Sequence, residues 1–353
     1  MRHQSPHTAR FIDEDTDHDK LYEVTLNTVQ DRFFFIPSPL LNLLIIGVLA
    51  YAQAKTGLRI CYATFLSTHA HILIRTKNAE QVATFFCLSN SQIAKEVQRL
   101  VDWTGGIFAD GYTMIAITDE PQAQEERLRY LMSQGTKEGL CPHPTKWPGV
   151  QSATALLTGT MTMLGRWINR TAQYDLEYLY ERTAALKATN RKRNRGLPVS
   201  QRKSFRGKKR RRPKLSDYSE DLHLELSPLP CWDHLSKKEV RDRAREMAAS
   251  IVEEHKDTID RLPPHWRDRV TDQSRATQRP RKRRPPSVRP KVHAASKEEW
   301  ILWIKNWENW INLFERASQR LRSGIKEALD EFPLGAFIPT GTYLAKARPP
   351  PPT

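Results

Sequence analysis

Two histidines, a tyrosine and a glutamine have the types and spacing that could support catalysis. His69 and His71 are separated by one residue, so on a β-strand both imidazoles would point to the same face. Adjacent imidazoles on a strand can supply two ligands to one metal ion. The same spacing also occurs in pairs of histidines that bind no metal, so the pair by itself leaves both interpretations open.

Tyr130 and Gln134 are one helical turn apart, which would place a phenol and an amide on the same face of a helix. A tyrosinate that attacks phosphorus forms a covalent phosphotyrosine, which preserves the energy of the phosphodiester for rejoining. A divalent metal, Mg²⁺ or Mn²⁺, would polarise a phosphate oxygen and offset the developing charge. Because helical tyrosines usually pack against their neighbours, this pair alone is not decisive.

The first 150 residues must hold these side chains in place, and they alternate between strand and helix patterns. Strand patterns cover residues 21–29, 58–66, 69–75 and 107–117, and helical patterns cover residues 40–54, 78–104 with a break near Ser89, and 118–134. This order predicts an α+β fold, with one antiparallel, ferredoxin-like sheet and helices packed against it.

Local signals set the expected ends of these elements. Ser67 and Thr68 predict a tight turn between two strands, and Asn78 is a candidate helix cap. Gly135 predicts the end of the helix that carries the tyrosine.

The helix over residues 40–54 is apolar nearly all round, which indicates burial. Its uninterrupted apolar run is shorter than the roughly 20 residues that a membrane span needs.

Positive charge is concentrated in the second half of the chain. The net charge is +16 over 353 residues, of which residues 1–150 contribute about −2 and residues 151–353 about +18. Residues 187–214 hold fourteen Lys/Arg and residues 275–297 hold nine, with no acidic residue in either run. Such runs commonly stay unfolded and bind polyanions, although a solubilising linker would have the same composition.

The residues expected to contact phosphate in these two runs are rich in arginine. They are Arg191, Lys192, Arg193, Lys208, Lys209, Arg210, Arg211, Arg212, Arg281, Lys282, Arg283 and Arg284.

The chain divides into a flexible N-terminus, a domain that carries the candidate catalytic residues, and a C-terminal region that is basic and largely helical or disordered. The expected segments are residues 1–19 (N-terminus), 20–155 (catalytic domain), 156–186 (helical extension), 187–214 (basic linker), 215–274 (helical), 275–297 (basic, Pro-rich linker), 298–335 (Trp-rich helix) and 336–353 (tail). Ser236 and Ser296 each begin a capping-box pattern.

Four scattered cysteines favour a reducing cytoplasm over a disulfide scaffold.

Three segments together resemble a known family. Thr64-Phe-Leu-Ser-Thr-His69-Ala-His71-Ile-Leu-Ile resembles the strand-turn-strand with the His-hydrophobic-His motif of HUH nucleases. Leu128-Arg-Tyr130-Leu-Met-Ser-Gln134 with Gly139-Leu140 resembles the catalytic-tyrosine segment, and Trp147-Pro-Gly resembles the Trp-Pro segment that follows it. The likeness covers about residues 20–155 and is strongest to single-tyrosine transposases, especially the REP-associated tyrosine transposases.

The resemblance implies a role for each of the four residues. His69 and His71 would bind a divalent metal, Gln134 would be its third ligand, and Tyr130 would be the nucleophile. The substrate would be single-stranded DNA in a hairpin or palindrome, cut and rejoined by a transposase. The protein would be a cytoplasmic monomer or homodimer, associated with the nucleoid through DNA and not with a membrane.

Other side chains compete for these roles. Tyr174 and Tyr178 share the spacing of one helical turn, but they lie among acidic residues and beyond the segment that resembles the family. Asp110 and Glu120 could place carboxylates near the site.

Two other functions also stay open: a domesticated, non-catalytic protein that binds DNA hairpins, and an RNA-binding protein, for which the strands lack an aromatic RNP signature.

The charge distribution yields an expectation for truncation. If the basic runs hold the DNA, removing residues 187–353 should weaken binding and flatten its salt dependence. Cleavage of a concentrated hairpin should then survive.

Overall fold

The structure is a computed structural model that describes residues 19–77, 79–205, 210–274, 290–334 and 336. Most of the expected flexible N-terminus and most of the expected tail therefore lie outside the described residues. In the first domain the elements are β1 (Lys20–Thr28), α1 (Pro39–Thr56), β2 (Arg59–Leu66), β3 (His69–Thr76), α2 (Ala79–Val101), β4 (Phe108–Ile117) and α3 (Pro121–Lys137). The predicted order of strands and helices is confirmed.

The strands form one sheet in the order β2-β3-β1-β4, with every neighbouring pair antiparallel. This is the ferredoxin-like arrangement expected from the sequence, because each β-α-β unit leaves room for a strand between its two strands. Thr25 lies opposite His71 and Asn27 lies opposite His69. Since cross-strand partners share a face, one side of the sheet is defined by the two histidines.

The helices cover the two faces of this sheet. On the face opposite the histidines, Phe86 of α2 packs against Tyr112 of β4 with ring centroids 5.0 Å apart, and Tyr112 pairs with the buried Leu26 of β1. On the histidine face, α3 brings Tyr130 beside His71. His69, His71 and Tyr130 therefore lie on the same face of the sheet.

Helix α1 is a core element, as its apolar sequence predicts. Ser38 caps it by accepting a hydrogen bond from the Leu41 amide, and Gly57 ends it in the left-handed conformation. By length and composition it could cross a membrane, and half of that apolar stretch is buried. It packs against α2 and against a two-stranded antiparallel sheet from the C-terminal region, which is the environment of a core helix.

Two predicted helix boundaries are wrong. Helix α2 continues through Ser89 without a break, because Ser89 is fully buried on the packed face of the helix. Helix α3 continues past Gly135 to Lys137. A β-carbon on Gly135 would lie 2.8 Å from the sulfur of Cys141, so this glycine permits a close contact inside the helix. The chain turns instead at Gly139, whose φ is +62°. Asn78, the candidate cap of α2, lies outside the described residues.

The C-terminal region contains strands as well as helices, which the sequence patterns did not predict. Its elements are α4 (Ala153–Thr158), β5 (Thr162–Ile168), α5 (Arg170–Arg193), β6 (Ser219–Glu225), α6 (Lys237–Glu254), α7 (Lys256–Asp260), α8 (Trp266–Thr271), β7 (Lys291–His293) and α9 (Lys297–Arg322). Helix α5 extends beyond the expected boundary at residue 186 into the first basic run. Strand β7 lies inside the expected second linker.

This region packs onto the first domain through several elements. Strands β5 and β6 form an antiparallel pair against α1, helix α6 packs on α3, and β7 joins the sheet as a parallel fifth strand beside β4. Buried Arg75 on β3 makes a two-pronged ion pair with Asp233 at 2.6 and 2.7 Å. The C-terminal region is therefore part of the body that holds the candidate site.

The Trp-rich helix α9 uses its aromatic stripe for packing, as the sequence favours. Trp307, Trp310 and Phe314 form a buried cluster, and the Trp310 and Phe314 rings stack with centroids 5.4 Å apart. Ser296 caps the helix by accepting a hydrogen bond from the Glu299 amide at 3.2 Å. The same pattern at Ser236 forms a complete capping box.

Helix α1 and strand β5 approach each other at two glycines, which gives a stability prediction. A β-carbon on Gly47 would lie 2.1 Å from the carbonyl carbon of Arg166, and one on Gly165 would lie 2.1 Å from the Gly47 amide nitrogen. We expect Gly47→Ala to lower the free energy of unfolding by about 3 kcal/mol or more, because the clash is with backbone atoms. Urea denaturation measures this change.

A glycine in open space is the matched control for this substitution. A β-carbon on Gly106 would meet no atom closer than 3.8 Å, so Gly106→Ala should change the unfolding free energy by less than about 1 kcal/mol. Equal midpoints for the two variants would contradict the close approach of α1 and β5.

Candidate active site

The two histidines lie at the start of β3, directly after the Ser67-Thr68 turn. Their ring centroids are 4.9 Å apart and their planes are nearly perpendicular, at 87°. Both side chains point to the face that α3 covers, as the two-residue period of a strand requires. Thr68 places its hydroxyl oxygen 2.9 Å from Nδ1 of His69, which orients that ring.

A buried carboxylate orients the second ring. Nδ1 of His71 lies 2.7 Å from Oε1 of Glu23 on β1. An ionised carboxylate can only accept hydrogen bonds, so Nδ1 carries the proton and the lone pair of His71 resides on Nε2. Carboxylates commonly orient metal-binding histidines in this way.

Glu23 is held in its ionised form by its neighbours. Burial would raise the pKa of this carboxyl group, but the hydrogen bond and electrostatic interaction with His71 and the charge and hydrogen bond of Arg127 outweigh burial and lower the pKa below its usual value. Arg127, on α3, forms an ion pair with the second carboxylate oxygen. Glu23 therefore supplies a fixed negative charge beneath the site.

Tyr130 lies over this face of the sheet. Its ring centroid is 6.4 Å from that of His71, and the side chain is 38% exposed. The Arg127 guanidinium carbon and the Lys137 ammonium nitrogen lie 4.5 and 4.3 Å from the Tyr130 ring centroid. The phenol is thus accessible to a substrate and flanked by two cations that favour negative charge nearby.

Gln134 follows one turn later on the same helix and is only 4% exposed. Its amide nitrogen donates to the Tyr130 carbonyl at 3.2 Å, so the amide oxygen is the atom that can act as a ligand. Gln134 thus lies on the helix that carries Tyr130 and one turn beyond it.

The donor set fits a divalent metal of mixed nitrogen and oxygen preference. Nε2 of His71, His69 and the Gln134 amide oxygen are neutral donors, and imidazole with oxygen suits first-row divalent ions. Among the residues that the structure describes, no group of three or more His, Cys, Asp and Glu side chains converges as a metal site. The two histidines and the Gln134 amide oxygen stay the candidate ligands that the sequence resemblance implies.

The competing tyrosines and carboxylates take other positions. Tyr174 and Tyr178 stack on each other on α5, with ring centroids 6.4 Å apart and exposed fractions of 69% and 52%. Glu120 accepts hydrogen bonds from the Thr118 hydroxyl and from the backbone amides of Ala295 and Ser296. Glu120 thus joins the start of α3 to the start of α9. Asp110 lies in strand β4.

The predicted phosphate-contact residues are only partly described. Arg191, Lys192 and Arg193 form the exposed last turn of α5. Arg210 and Arg212 are exposed, and Arg211 pairs with Asp217 at 2.6 Å. Lys208, Lys209, Arg281, Lys282, Arg283 and Arg284 lie outside the described residues.

Three site residues were not singled out from the sequence: Glu23, Arg127 and Lys137. A charged residue within the otherwise apolar and uncharged segment Leu21–Leu26 was an available signal for Glu23, because lone charges in core strands are rare unless they are paired. Arg127 lies one helical turn before Tyr130, so a shared helix face could have indicated it. Lys137 is two turns beyond Tyr130 and gave no comparable signal.

Neither a protein-family model nor a curated protein matches the sequence. Among solved structures, the chain is similar to a REP-associated tyrosine transposase bound to a REP hairpin, at 12% identity and a TM-score of 0.33, over 40% of this chain and 81% of that chain. It is also similar to a candidate transposase from Deinococcus radiodurans R1, at 12% identity and a TM-score of 0.26, over 33% of this chain and 93% of that chain.

Proposed function

We propose that this protein cleaves and rejoins single-stranded DNA through attack of Tyr130 on a backbone phosphodiester, assisted by a divalent metal. The observation that carries the proposal is the position of the Tyr130 ring 6.4 Å from His71, on the face of the sheet that both histidines share. A nucleophile and a candidate metal site on one surface are what phosphodiester transfer requires.

The proposed chemistry conserves the phosphodiester. The Tyr130 hydroxyl loses its proton as its oxygen bonds to phosphorus, one phosphorus–oxygen bond of the DNA backbone breaks, and the departing oxygen takes up a proton, so that no net proton is consumed. Attack by a DNA hydroxyl on the phosphotyrosine reverses these changes and rejoins a strand. Mg²⁺ or Mn²⁺, held by His69, His71 and Gln134, would supply Lewis-acid polarisation of the phosphate. Arg127 and Lys137 add positive charge beside the phenol.

The basic segments are proposed to hold the DNA outside the site. Arg191, Lys192 and Arg193 end a 24-residue helix of which none of the described residues is buried. A helix of that length spans about 36 Å, which is enough to follow a hairpin stem. Phosphate contacts of this kind give affinity with little sequence preference. A hairpin or palindrome is the proposed form of the substrate.

Removal of a metal ligand gives the first functional test. We expect wild-type protein to form a covalent adduct with a hairpin oligonucleotide in Mn²⁺, visible as a slower band on a denaturing gel. We expect His69→Ala to reduce the adduct yield by about 100-fold or more, because loss of one ligand weakens metal binding. Chelation with EDTA should do the same to the wild type.

A surface histidine controls for unspecific loss. His223→Ala, in strand β6, should leave the adduct yield unchanged. Wild-type protein that binds the hairpin but forms no adduct in Mn²⁺ or Mg²⁺ would contradict the catalytic proposal and favour a non-catalytic hairpin-binding protein.

A further inference from the structure

Glu23 contacts both halves of the candidate site. It lies on β1, the middle strand of the five-stranded sheet, with none of its surface exposed. One carboxylate oxygen is 2.7 Å from Nδ1 of His71, and the other forms an ion pair with Arg127 of α3. A single side chain thus touches a candidate metal ligand and the tyrosine helix.

The buried charge is fully engaged by these contacts. The Thr25 hydroxyl, two residues along the strand, donates to the same oxygen as His71 at 3.2 Å. An ionised carboxylate in the core is unfavourable unless it is paired and hydrogen-bonded. Removing either contact therefore leaves an incompletely paired charge, which favours keeping His71 and Arg127 in place together.

The contact with His71 selects the atom that can bind metal. Because Glu23 accepts from Nδ1, the ring is held as the tautomer with its lone pair on Nε2. Such carboxylate–histidine pairs set the ring orientation and increase its basicity toward a metal.

The contact with Arg127 reaches the nucleophile. The guanidinium lies 4.5 Å from the Tyr130 ring centroid, and Arg127 and Tyr130 are one helical turn apart. A guanidinium anchored by a buried carboxylate has little freedom to move, so the ring above it is restrained as well. Glu23 therefore orients the tyrosine through Arg127.

We propose that Glu23 is a positioning residue that couples the metal-binding histidine to the nucleophile, through His71 on one side and Arg127 on the other. This inference rests on the proposed function and deepens it, because it assigns the alignment of the two halves to one side chain. It predicts that substitutions can distinguish the effect of the Glu23–His71 contact from the effect of the Glu23–Arg127 contact.

The test measures metal binding and chemistry separately in the full-length protein. Mn²⁺ affinity is followed by electron paramagnetic resonance, the His71 tautomer by ¹⁵N NMR of the metal-free protein, and adduct formation at saturating Mn²⁺ by gel. For Glu23→Gln we expect Mn²⁺ affinity to fall about 10- to 100-fold, loss of the single Nδ1-protonated tautomer, and slower adduct formation. For Arg127→Gln we expect slower adduct formation with Mn²⁺ affinity and tautomer unchanged.

Two further variants keep the test decisive. The double variant Glu23→Gln/Arg127→Gln removes both charges of the buried pair, so it should fold even if Glu23→Gln does not. Its Mn²⁺ affinity should be reduced as in Glu23→Gln. Asp221→Asn removes one partner of the exposed Arg166–Asp221 ion pair between β5 and β6. This variant should match the wild type in all three measurements.

The outcomes separate this inference from the proposed function. Unchanged Mn²⁺ affinity and tautomer in both Glu23 variants would overturn the inference, as would equal losses of affinity in Arg127→Gln and Glu23→Gln. An absence of adduct in the wild type would instead refute the proposed function, while the Mn²⁺ and NMR measurements would still decide whether Glu23 orients His71.

Discussion

Tyr130→Phe is expected to lower covalent adduct formation by about three orders of magnitude or more, since it removes the nucleophilic oxygen. Hairpin affinity should stay within about twofold of the wild type, because the ring and its contacts with Arg127 and Lys137 are retained. Denaturing gels measure the adduct, and fluorescence anisotropy with a labelled hairpin measures affinity.

The stacked tyrosines of α5 are the matched controls for this substitution. Tyr174→Phe and Tyr178→Phe also remove one phenol oxygen each, from exposed side chains of a helix, and both should leave adduct formation unchanged. An adduct that persists in Tyr130→Phe, or a nucleotide mapped by mass spectrometry to another tyrosine, would show that the nucleophile is misassigned.

Lys192→Gln/Arg193→Gln is expected to weaken hairpin binding and reduce its salt dependence. For every phosphate that is no longer neutralised, the slope of log affinity against log salt should fall by about 0.7 on single strands or 0.9 on duplex, so the double substitution should reduce it by up to about 2. Glutamine retains good helix propensity, so α5 should persist. Anisotropy titrations between low and moderate salt measure the slope.

An equal change of charge elsewhere is the control for this variant. Lys305→Gln/Arg316→Gln also lowers the net charge by two, at exposed positions of α9, and it should leave the slope nearly unchanged. If the two double variants behave alike, the end of α5 is not a DNA contact and affinity follows overall charge.

The truncation that the charge distribution suggests would remove more than the basic runs. Removing residues 187–353 would also remove β6, β7 and α6, and α6 packs directly on the tyrosine helix through Arg129, which hydrogen-bonds Ser250 and pairs with Glu254. Because this packing would be lost, we now expect the truncation to disturb α3 and to lower cleavage. Loss of activity in the truncated protein would report on α3 as much as on DNA binding.

Local periodicity in the sequence determined the parts of the site that lie within one element. The two-residue period of a strand places His69 and His71 on one face, and the helical period places Tyr130 and Gln134 within one turn. The order of strand and helix patterns was sufficient for the α+β, ferredoxin-like sheet, because short connections leave few ways to arrange four such strands. These predictions depend on contacts between neighbours in the chain.

Only the tertiary structure decided which residues meet across elements. Glu23 contacts His71 from 48 positions away, and the contact depends on the register of β1 against β3, which a shift of one residue would reverse. The role of Gly135 depends on the approach of Cys141, and strand β7 depends on the free edge of β4. Such contacts join segments that are distant in sequence, so they leave no periodic pattern, and the residue that touches both halves of the site became visible only once the sheet was assembled.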